Sequence, residues 1–335
     1  MSLEEFIKEW HNDSPTVLVH TSGSTGQPKP MLVEKRRMEA SARITCQFLG
    51  LKSGDTALLC MSLDYIAGKM MVVRTLTCGL RLIAVKPIGC PSWDGDIDFA
   101  AMVPMQVYNL LQTAEGRKRL MAVKHLIIGG GAIDDAIARE LADFPNYVWS
   151  TYGMTETLSH IALRRLNGPE ASEWYTPFAG VSLSLNEDNC LVIDAPAVHD
   201  GPLVTNDIAE FELTSLHPSP FTLHHPLRFR ILGRKDNVIC SGGIKIQIEE
   251  VEKLLRQHLP ESFMITKRPD KKFGEQVVLL TESRDIDVVK DVCRRVLPKY
   301  WQPRCYLYVN QLPLTETGKP ARKKAERLAA LAVEV

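Results

Sequence analysis

The stretch VLVHTSGSTGQPKPMLVEK, residues 17–35, joins an apolar run to a helical pattern through a loop of glycine, hydroxyl residues, proline and lysine. TVLVH (16–20) has the β-branched, apolar character of a strand, and EKRRMEASARITCQFLG (34–50) spaces its apolar residues as a helix closed by Gly50. Strand, loop and helix in succession form the opening unit of an α/β layered fold. From His20 to Lys29 the loop offers hydroxyls on Thr21, Ser22, Ser24 and Thr25, close backbone approach at Gly23 and Gly26, and a cation at Lys29. Such a set can wrap phosphate oxygens. Ordinary surface turns share the composition, so the loop alone leaves both readings open. It is not a Walker A loop, because Pro28 precedes Lys29 and Pro30 follows it.

Outward from this loop the alternation continues. DTALLCM (55–61), LRLIAV (80–85), VKHLIIGGG (123–131) and YVWSTYG (147–153) read as strands, and GKMMVVRTLTCG (68–79) and AIDDAIARELADF (132–144) as helices. Apolar strands alternating with helices predict a largely parallel, buried sheet. GVSLSLNEDNCLVIDAPAV (180–198) changes to short strands with turn residues, the mark of a small antiparallel part. FRILGRKDNVICSGGIKIQIEEVEKLLRQHL (229–259) then brings a strand, a polar turn, a glycine pair and a helix. The expected fold class is α/β: a large N-terminal domain of α/β layers with a small β part over 1–233, and a smaller α+β C-terminal domain over 234–335, with the boundary near Arg234 to Asn237.

Composition narrows the function. With 40 basic and 40 acidic residues the net charge is zero, so no general attraction to nucleic acid or anionic membrane is expected, and any anion must be recognised locally. The eight cysteines (46, 60, 78, 90, 190, 240, 293 and 305) include no CxxC pair and follow no secretory leader, which fits a reducing cytoplasm and argues against structural zinc. No run of eighteen apolar residues occurs, so no membrane span is expected.

Motifs in a fixed order carry a more specific signal. TSGSTGQPK (21–29), TYGMTE (151–156), GRKDNVICSGGIKI (233–246) and LPLTETGKPAR (312–322) resemble the adenylate-forming superfamily of acyl-CoA synthetases, adenylation domains and luciferases. The finer resemblance is to o-succinylbenzoate–CoA ligases of menaquinone biosynthesis, carried by MSLDYIAGKMMVVRTLTCGLRL (61–82), AAMVPMQVYNLL (100–111), HLIIGGGAI (125–133) and TYGMTETLSHIALRR (151–165). The sequence departs from that group at Tyr65, where many relatives have histidine, and at Pro30, where glycine is usual. Members usually carry well over a hundred residues ahead of the phosphate loop where this chain has nineteen, so the expectation is an N-terminally shortened member.

The resemblance implies a reaction in two halves, with ATP, Mg²⁺ and CoA. A carboxylate attacks the α-phosphorus of ATP to give acyl-AMP and pyrophosphate, and the CoA thiolate then attacks the acyl carbon. It assigns Thr21, Ser22, Gly23, Ser24, Thr25, Gly26 and Lys29 to the β and γ phosphates, Thr155 to the α-phosphate and Glu156 to Mg²⁺. On its own, TYGMTE would read as a strand end before a helix-capping threonine. Tyr152 and Gly153, with Gly129, Gly130 and Gly131, fall to the adenine, and Asp207 and Arg234 to the ribose; Asn206 stands where glycine usually precedes that aspartate. Lys319 is the implied catalytic cation, on a mobile C-terminal domain that turns about Asp236 and then offers Gly242 and Gly243 to the pantetheine arm. Arg234 and Lys319 also read as ordinary surface charges. Tyr65, Lys69 and Arg74 are the candidate acid-binding residues: Lys69, near a helix start, and Arg74 could hold a second carboxylate, or be plain helix charges. The expected partners are a small carboxylic acid, ATP and CoA, with a homo-oligomer left open. Alternatives are another aryl or short-chain acid as substrate, or an adenylate-binding, carrier-charging module without CoA ligase activity.

Overall fold

The computed structural model describes residues 1–20, 30–131, 133, 135–212, 228–315 and 319–331. The chain forms two compact units, one of Met1–Ser184, Val192–Leu203 and Phe211–Arg230, the other of Leu185–Leu191, Val204–Glu210 and Ile231–Val335.

In the first unit, helix α1 (Leu3–His11) precedes an antiparallel hairpin of β1 (Thr16–His20) and β2 (Pro30–Glu34), with Leu18 opposite Leu32. Helix α2 (Lys35–Leu49) follows directly and ends where the sequence indicates: Gly50 takes φ 67° and its N–H caps the last turn. Next come β3 (Thr56–Leu59), α3 (Ile66–Cys78), β4 (Arg81–Ala84), β5 (Ile97–Met102), α4 (Pro104–Leu111), α5 (Ala114–Ala122), β6 (Val123–Ile128), α6 (Asp135–Leu141), β7 (Tyr147–Gly153), β8 (His160–Arg165) and β9 (Thr176–Pro177). These strands make one seven-stranded sheet in the order β4-β3-β5-β6-β7-β8-β9. From β4 to β7 all neighbours are parallel, whereas β8 and β9 add on antiparallel.

Parallel strands need cover on both faces, and β3 is buried along its whole length. Ala100, Met102, Leu126, Ile128 and Val148 of the strands pack with Val107 and Leu110 of α4 and Ile137 and Leu141 of α6 in one apolar cluster. Helix α3 packs on β3, and α2 packs on α3. Eight consecutive residues of α3, Gly68–Thr75, are buried, which is why its apolar residues show no one-sided stripe.

Strands β10 (Ser182–Leu185), β11 (Cys190–Asp194), β12 (Leu203–Phe211) and β13 (Phe229–Arg234) form a four-stranded sheet in that order, so the small β part is present.

The second unit is α+β. A one-turn 3₁₀ helix at Lys235–Asn237 leads into β14 (Val238–Ser241) and β15 (Ile244–Gln247), then α7 (Ile248–Arg256), β16 (Phe263–Asp270), β17 (Gly274–Thr281), α8 (Ile286–Val296), β18 (Cys305–Tyr308) and α9 (Arg322–Leu331). The order β15-β14-β17-β16 is completed by β18, parallel to β17. Val251 and Leu255 of α7 and Val289 and Cys293 of α8 close a core over Ile265, Val277 and Leu279. Ala325 and Ala329 of α9 pack with Met264, Val278 and Leu280 in a second cluster. Among the described residues no helix is long and apolar enough to cross a membrane.

Candidate active site

The parallel strands of the first unit deliver their following loops on one side, because parallel neighbours end together. Ile128 pairs with Ser150, so Gly129–Gly131 after β6 and Tyr152–Glu156 at the end of β7 leave the sheet side by side. Their approach is close: a Cβ on Gly129 would lie 2.3 Å from Thr151 Oγ1. Gly130 has φ 82°, in the left-handed region that glycine enters without strain.

The segment after β7 doubles back instead of starting a helix. The β7–β8 register shifts at Tyr152/Gly153, and a Cβ on Gly153 would lie 2.3 Å from the Ser159 carbonyl oxygen. Thr157 fastens the loop from inside: its hydroxyl accepts from Met154 N at 3.1 Å and contacts the Met154 and Ser159 carbonyls at 3.1 and 2.8 Å. Leu158 is driven to φ 66°, a strained value for a residue with a branched side chain. Thr155 is buried at this turn and Glu156 half-exposed, so Thr155 caps no helix. Tyr152 stands edge-on to Phe229 with ring centroids 5.2 Å apart, and tilted to Tyr175 at 5.9 Å.

Tyr65 is the residue before α3, and Gly68 lets the first turn of that helix pass the Ser62 carbonyl, which a Cβ would approach to 2.2 Å. Lys69 is 3% exposed; its backbone N–H bonds Tyr65 O at 3.3 Å and its ammonium donates to Leu18 O at 2.6 Å, over the Phe6 ring. Burial lowers its pKa, against the opposing pull of Glu9 and Asp64. The Lys69 ammonium thus places one of its three donors on the chain's own carbonyl, and its backbone N–H bonds within the start of the helix.

Arg74 is 2% exposed and sits on the same helix. Its Nη2 donates to Ser159 Oγ at 2.5 Å, Nη1 lies 3.9 Å from Met71 Sδ, and Nε has no hydrogen-bond partner among the described residues. No described carboxylate pairs with it, and burial pulls its pKa down to about 10, countered by the thiols of Cys46 and Cys78. Ser159 also contacts His160 Nδ1 at 3.1 Å, and His160 Nε2 contacts Thr45 Oγ1 at 3.3 Å. Full burial and the nearby Arg74 charge hold His160 well below the ordinary histidine pKa, hence neutral. Ser159, His160 and Thr45 were not singled out from sequence; they join only through contacts up to 115 residues apart.

In the second unit, Arg234 is shared between two carboxylates. Its Nη1 bonds Asp207 Oδ1 at 3.0 Å, while Nε and Nη2 grip Asp236 at 2.9 and 3.1 Å. Burial works against its charge but the hydrogen bond to Asp236 and the charge of Asp207 outweigh it, raising the pKa. Sequence reading thus named three residues that meet in one ion cluster. Lys319 is half-buried; Thr315 N donates to Lys319 O at 2.8 Å, and Lys319 N to Thr315 Oγ1 at 3.0 Å. Its pKa is lowered by burial first and then by the Arg234 charge.

Gly242 and Gly243 are the two central residues of the β14–β15 turn, at φ 58° and 82°, the positive values that a tight hairpin turn requires. Gly242 N bonds Phe273 O at 2.8 Å, and Arg304 lies 3.6 Å over the Phe273 ring.

The phosphate-loop candidates Thr21, Ser22, Gly23, Ser24, Thr25, Gly26 and Lys29 lie outside the described residues. Among the described residues no three His, Cys, Asp or Glu side chains gather as a metal cage. A single accessible carboxylate such as Glu156 fits Mg²⁺, which keeps several waters and takes its remaining ligands from substrate phosphates.

Residues 3–199 match the model of the AMP-binding enzyme family. The chain is 23% identical to a 2-succinylbenzoate–CoA ligase of Bacillus cereus, over 97% of this chain and 73% of that one. It is similar in structure to an acyl-CoA synthetase (AMP-forming)/AMP-acid ligase II-like protein from Dyadobacter fermentans, with a TM-score of 0.63 and 32% identity over 97% of this chain and 92% of that one. It also resembles the o-succinylbenzoate coenzyme A synthetase of Bacillus subtilis in complex with ATP and magnesium ion, with a TM-score of 0.70 and 20% identity over 92% of this chain and 69% of that one.

Proposed function

The chain belongs to the AMP-binding enzyme family, and on that premise we propose that it is an ATP-dependent, Mg²⁺-requiring acid–CoA ligase that works through an acyl-AMP, with o-succinylbenzoate as its acid. The observation that carries the choice of acid is Arg74, a buried guanidinium held by the Ser159 hydroxyl with no carboxylate beside it among the described residues. A buried cation is costly without an anion, and a dicarboxylic aryl acid brings one in addition to the carboxylate that reacts.

The first half-reaction brings two anions together, so the protein must supply fixed positive charge and donors before chemistry begins. Lys319, from the second unit, serves as that cation; its lowered pKa reflects a partly desolvated ammonium, which a phosphate or carboxylate would welcome. Thr155 addresses the α-phosphate and Glu156 holds Mg²⁺, whose chemistry when bound is to neutralise the phosphate charge. Thr21, Ser22, Gly23, Ser24, Thr25, Gly26 and Lys29 take the leaving pyrophosphate. Gly129–Gly131, Tyr152 and Gly153 take the adenine, and Asp207 and Arg234 the ribose. The domain at 234–335, hinged at Asp236, then brings Gly242 and Gly243 to the CoA arm. We place the enzyme in the cytoplasm, where ATP and CoA are at hand.

A panel of carboxylic acids, followed for pyrophosphate and AMP release with and without CoA, tests this. Release of AMP that requires both o-succinylbenzoate and CoA is the expected result. Turnover with monocarboxylic acids alone would overturn the choice of acid, and acyl-AMP formation without thioester formation would overturn the ligase.

A further inference from the structure

A run of side-chain contacts crosses the first unit from α2 to Arg74 on α3 by way of Ser159 and His160, where β8 begins. Thr45 Oγ1 lies 3.1 Å from the Ser41 carbonyl oxygen and 3.3 Å from His160 Nε2. His160 Nδ1 lies 3.1 Å from Ser159 Oγ, which lies 2.5 Å from Arg74 Nη2. Ser41, Thr45, Arg74 and His160 are all buried. Phe178 stands edge-on to the imidazole with centroids 5.4 Å apart, and Ser159 is tied to Thr157 twice, through its N–H to the Thr157 carbonyl at 2.7 Å and through its own carbonyl to the Thr157 hydroxyl at 2.8 Å.

The protons of this run follow from counting donors. A neutral imidazole has one donor and one acceptor nitrogen, and a hydroxyl has one proton. With the imidazole proton on Nε2, four bonds form in one direction: Arg74 donates to Ser159, Ser159 to His160 Nδ1, His160 Nε2 to Thr45, and Thr45 to the Ser41 carbonyl. With the proton on Nδ1, His160 donates to Ser159 and Thr45 must turn its own proton onto Nε2. Three bonds then remain, and the Ser159 proton has no acceptor within the run. One further buried hydrogen bond favours the first order by up to about tenfold. The Arg74 charge acts in the same sense, because the first order turns the Nδ1 lone pair toward the cation and the second turns an N–H toward it. A doubly protonated ring would set a second buried cation beside Arg74.

In this order the Ser159 proton is committed to His160, and Ser159 meets Arg74 with an oxygen lone pair. The guanidinium keeps Nε, which has no partner among the described residues, and Nη1, which lies 3.9 Å from Met71 Sδ. We propose that His160, set in its Nε2–H form by Thr45, is a positioning residue of the acid site: it takes the Ser159 proton, so that Ser159 can only accept from Arg74, and the guanidinium is held with Nε and Nη1 left for the second carboxylate of the acid. This builds on Arg74 as the residue that meets that carboxylate.

Two measurements on the full chain test it. With ¹⁵N-labelled histidine, long-range nitrogen–proton correlation reports which ring nitrogen of His160 carries the proton, the ring being identified by its proton contacts with Phe178. The Nε2–H form is expected without any substrate present; an Nδ1–H or imidazolium signal overturns the proposal, and this readout needs neither variant nor turnover. The second measurement is initial rates with o-succinylbenzoate and ATP varied in turn. His160→Leu removes both ring contacts and is expected to raise KM for the acid by about tenfold, with KM for ATP unchanged. His160→Asn puts an amide oxygen where Nδ1 stands and is expected to recover most of that loss, whereas His160→Gln, whose amide reaches Thr45 in place of Ser159, is not. Equal effects of Leu, Asn and Gln, or equal rises for acid and ATP, mark a packing role alone and overturn the role of His160 while leaving Arg74 in place. Failure of the premise shows separately: an unchanged KM for the acid in Arg74→Lys removes Arg74 from the site, and the proposal with it, whatever the tautomer.

Discussion

Arg322 and Glu252 face each other through two parallel hydrogen bonds, Nη1 to Oε1 at 2.6 Å and Nη2 to Oε2 at 2.8 Å, in the interior of the second unit. The same arginine donates to the Ile265 carbonyl at 2.9 Å, and the same carboxylate accepts the Ile265 N–H at 2.9 Å. Three elements, α7, β16 and the start of α9, are thereby fastened at one point. Lys319 lies three residues before Arg322. The pair therefore fixes the chain on which that lysine is carried.

Breaking one side of this pair strands a buried charge. Glu252→Ala is expected to destabilise the second unit by about 3–5 kcal/mol, whereas the double replacement Glu252→Leu with Arg322→Met is expected to recover most of the loss. Denaturant unfolding of the three proteins checks this; equal losses in the single and double variants would show that the ion pair is not the cause.

Lys319→Ala is expected to lower the rate of ATP–pyrophosphate exchange by roughly 10² to 10³, the effect of removing one preorganised donor. Transfer of the acyl group from a supplied acyl-AMP to CoA should survive. Measured separately, the two half-reactions distinguish a cation for adenylation from a general structural role, which would depress both.

Arg74→Lys keeps the charge but shortens the side chain and loses the fork that reaches Ser159. The Michaelis constant for o-succinylbenzoate is expected to rise by about 10² for a loss of ~2–3 kcal/mol, with that for ATP unchanged. Initial rates with each substrate varied in turn give the answer, and an unchanged constant for the acid would remove Arg74 from the acid site.

His125 gives a pH prediction. Burial first, then the charges of Lys124 and Arg165, depress its pKa to about 4, and its Nδ1 has no partner among the described residues. The unfolded chain takes up this proton at an ordinary ~6.5, while the folded chain does so only near 4, so between those values the unfolded state binds more protons and stability falls as pH falls. The contribution lost by pH 4 is up to about 3 kcal/mol, from 1.36 kcal/mol per unit. His125→Phe should flatten the stability profile over this window, as read from unfolding free energies at a series of pH values, and an unaltered slope would exclude His125 as its source.

What the sequence made legible was local. The end of α2 at Gly50 and the strand character of residues 123–128 and 147–153 each follow from neighbouring residues alone, and the structure has them there. Strand β2 was not visible, because a five-residue segment beginning with Pro30 becomes a strand only by pairing with β1 across the intervening loop. Lys69 and Arg74 were read as helix charges or an anion site; their burial depends on α3 being covered by both β3 and α2, which no period within the helix reports. Asp207, Arg234 and Asp236 were each named, for the ribose and the hinge, but their meeting in one ion cluster was not, since Asp207 arrives from 27 positions away. Glu252 was missed, since its partner Arg322 lies 70 residues further on.

The common exit of β3, β5, β6 and β7 has a consequence for descent as well as for chemistry. The segments that follow them, at 61–65, 103, 129–131 and 154–159, lie beyond a sheet whose cohesion comes from buried strand residues such as Leu58, Ala100, Leu126 and Val148. Substitution at their less buried positions, such as Tyr65 and Ser159, leaves that interior untouched, so a lineage built on this scaffold can exchange one acid for another by small steps without relearning how to fold.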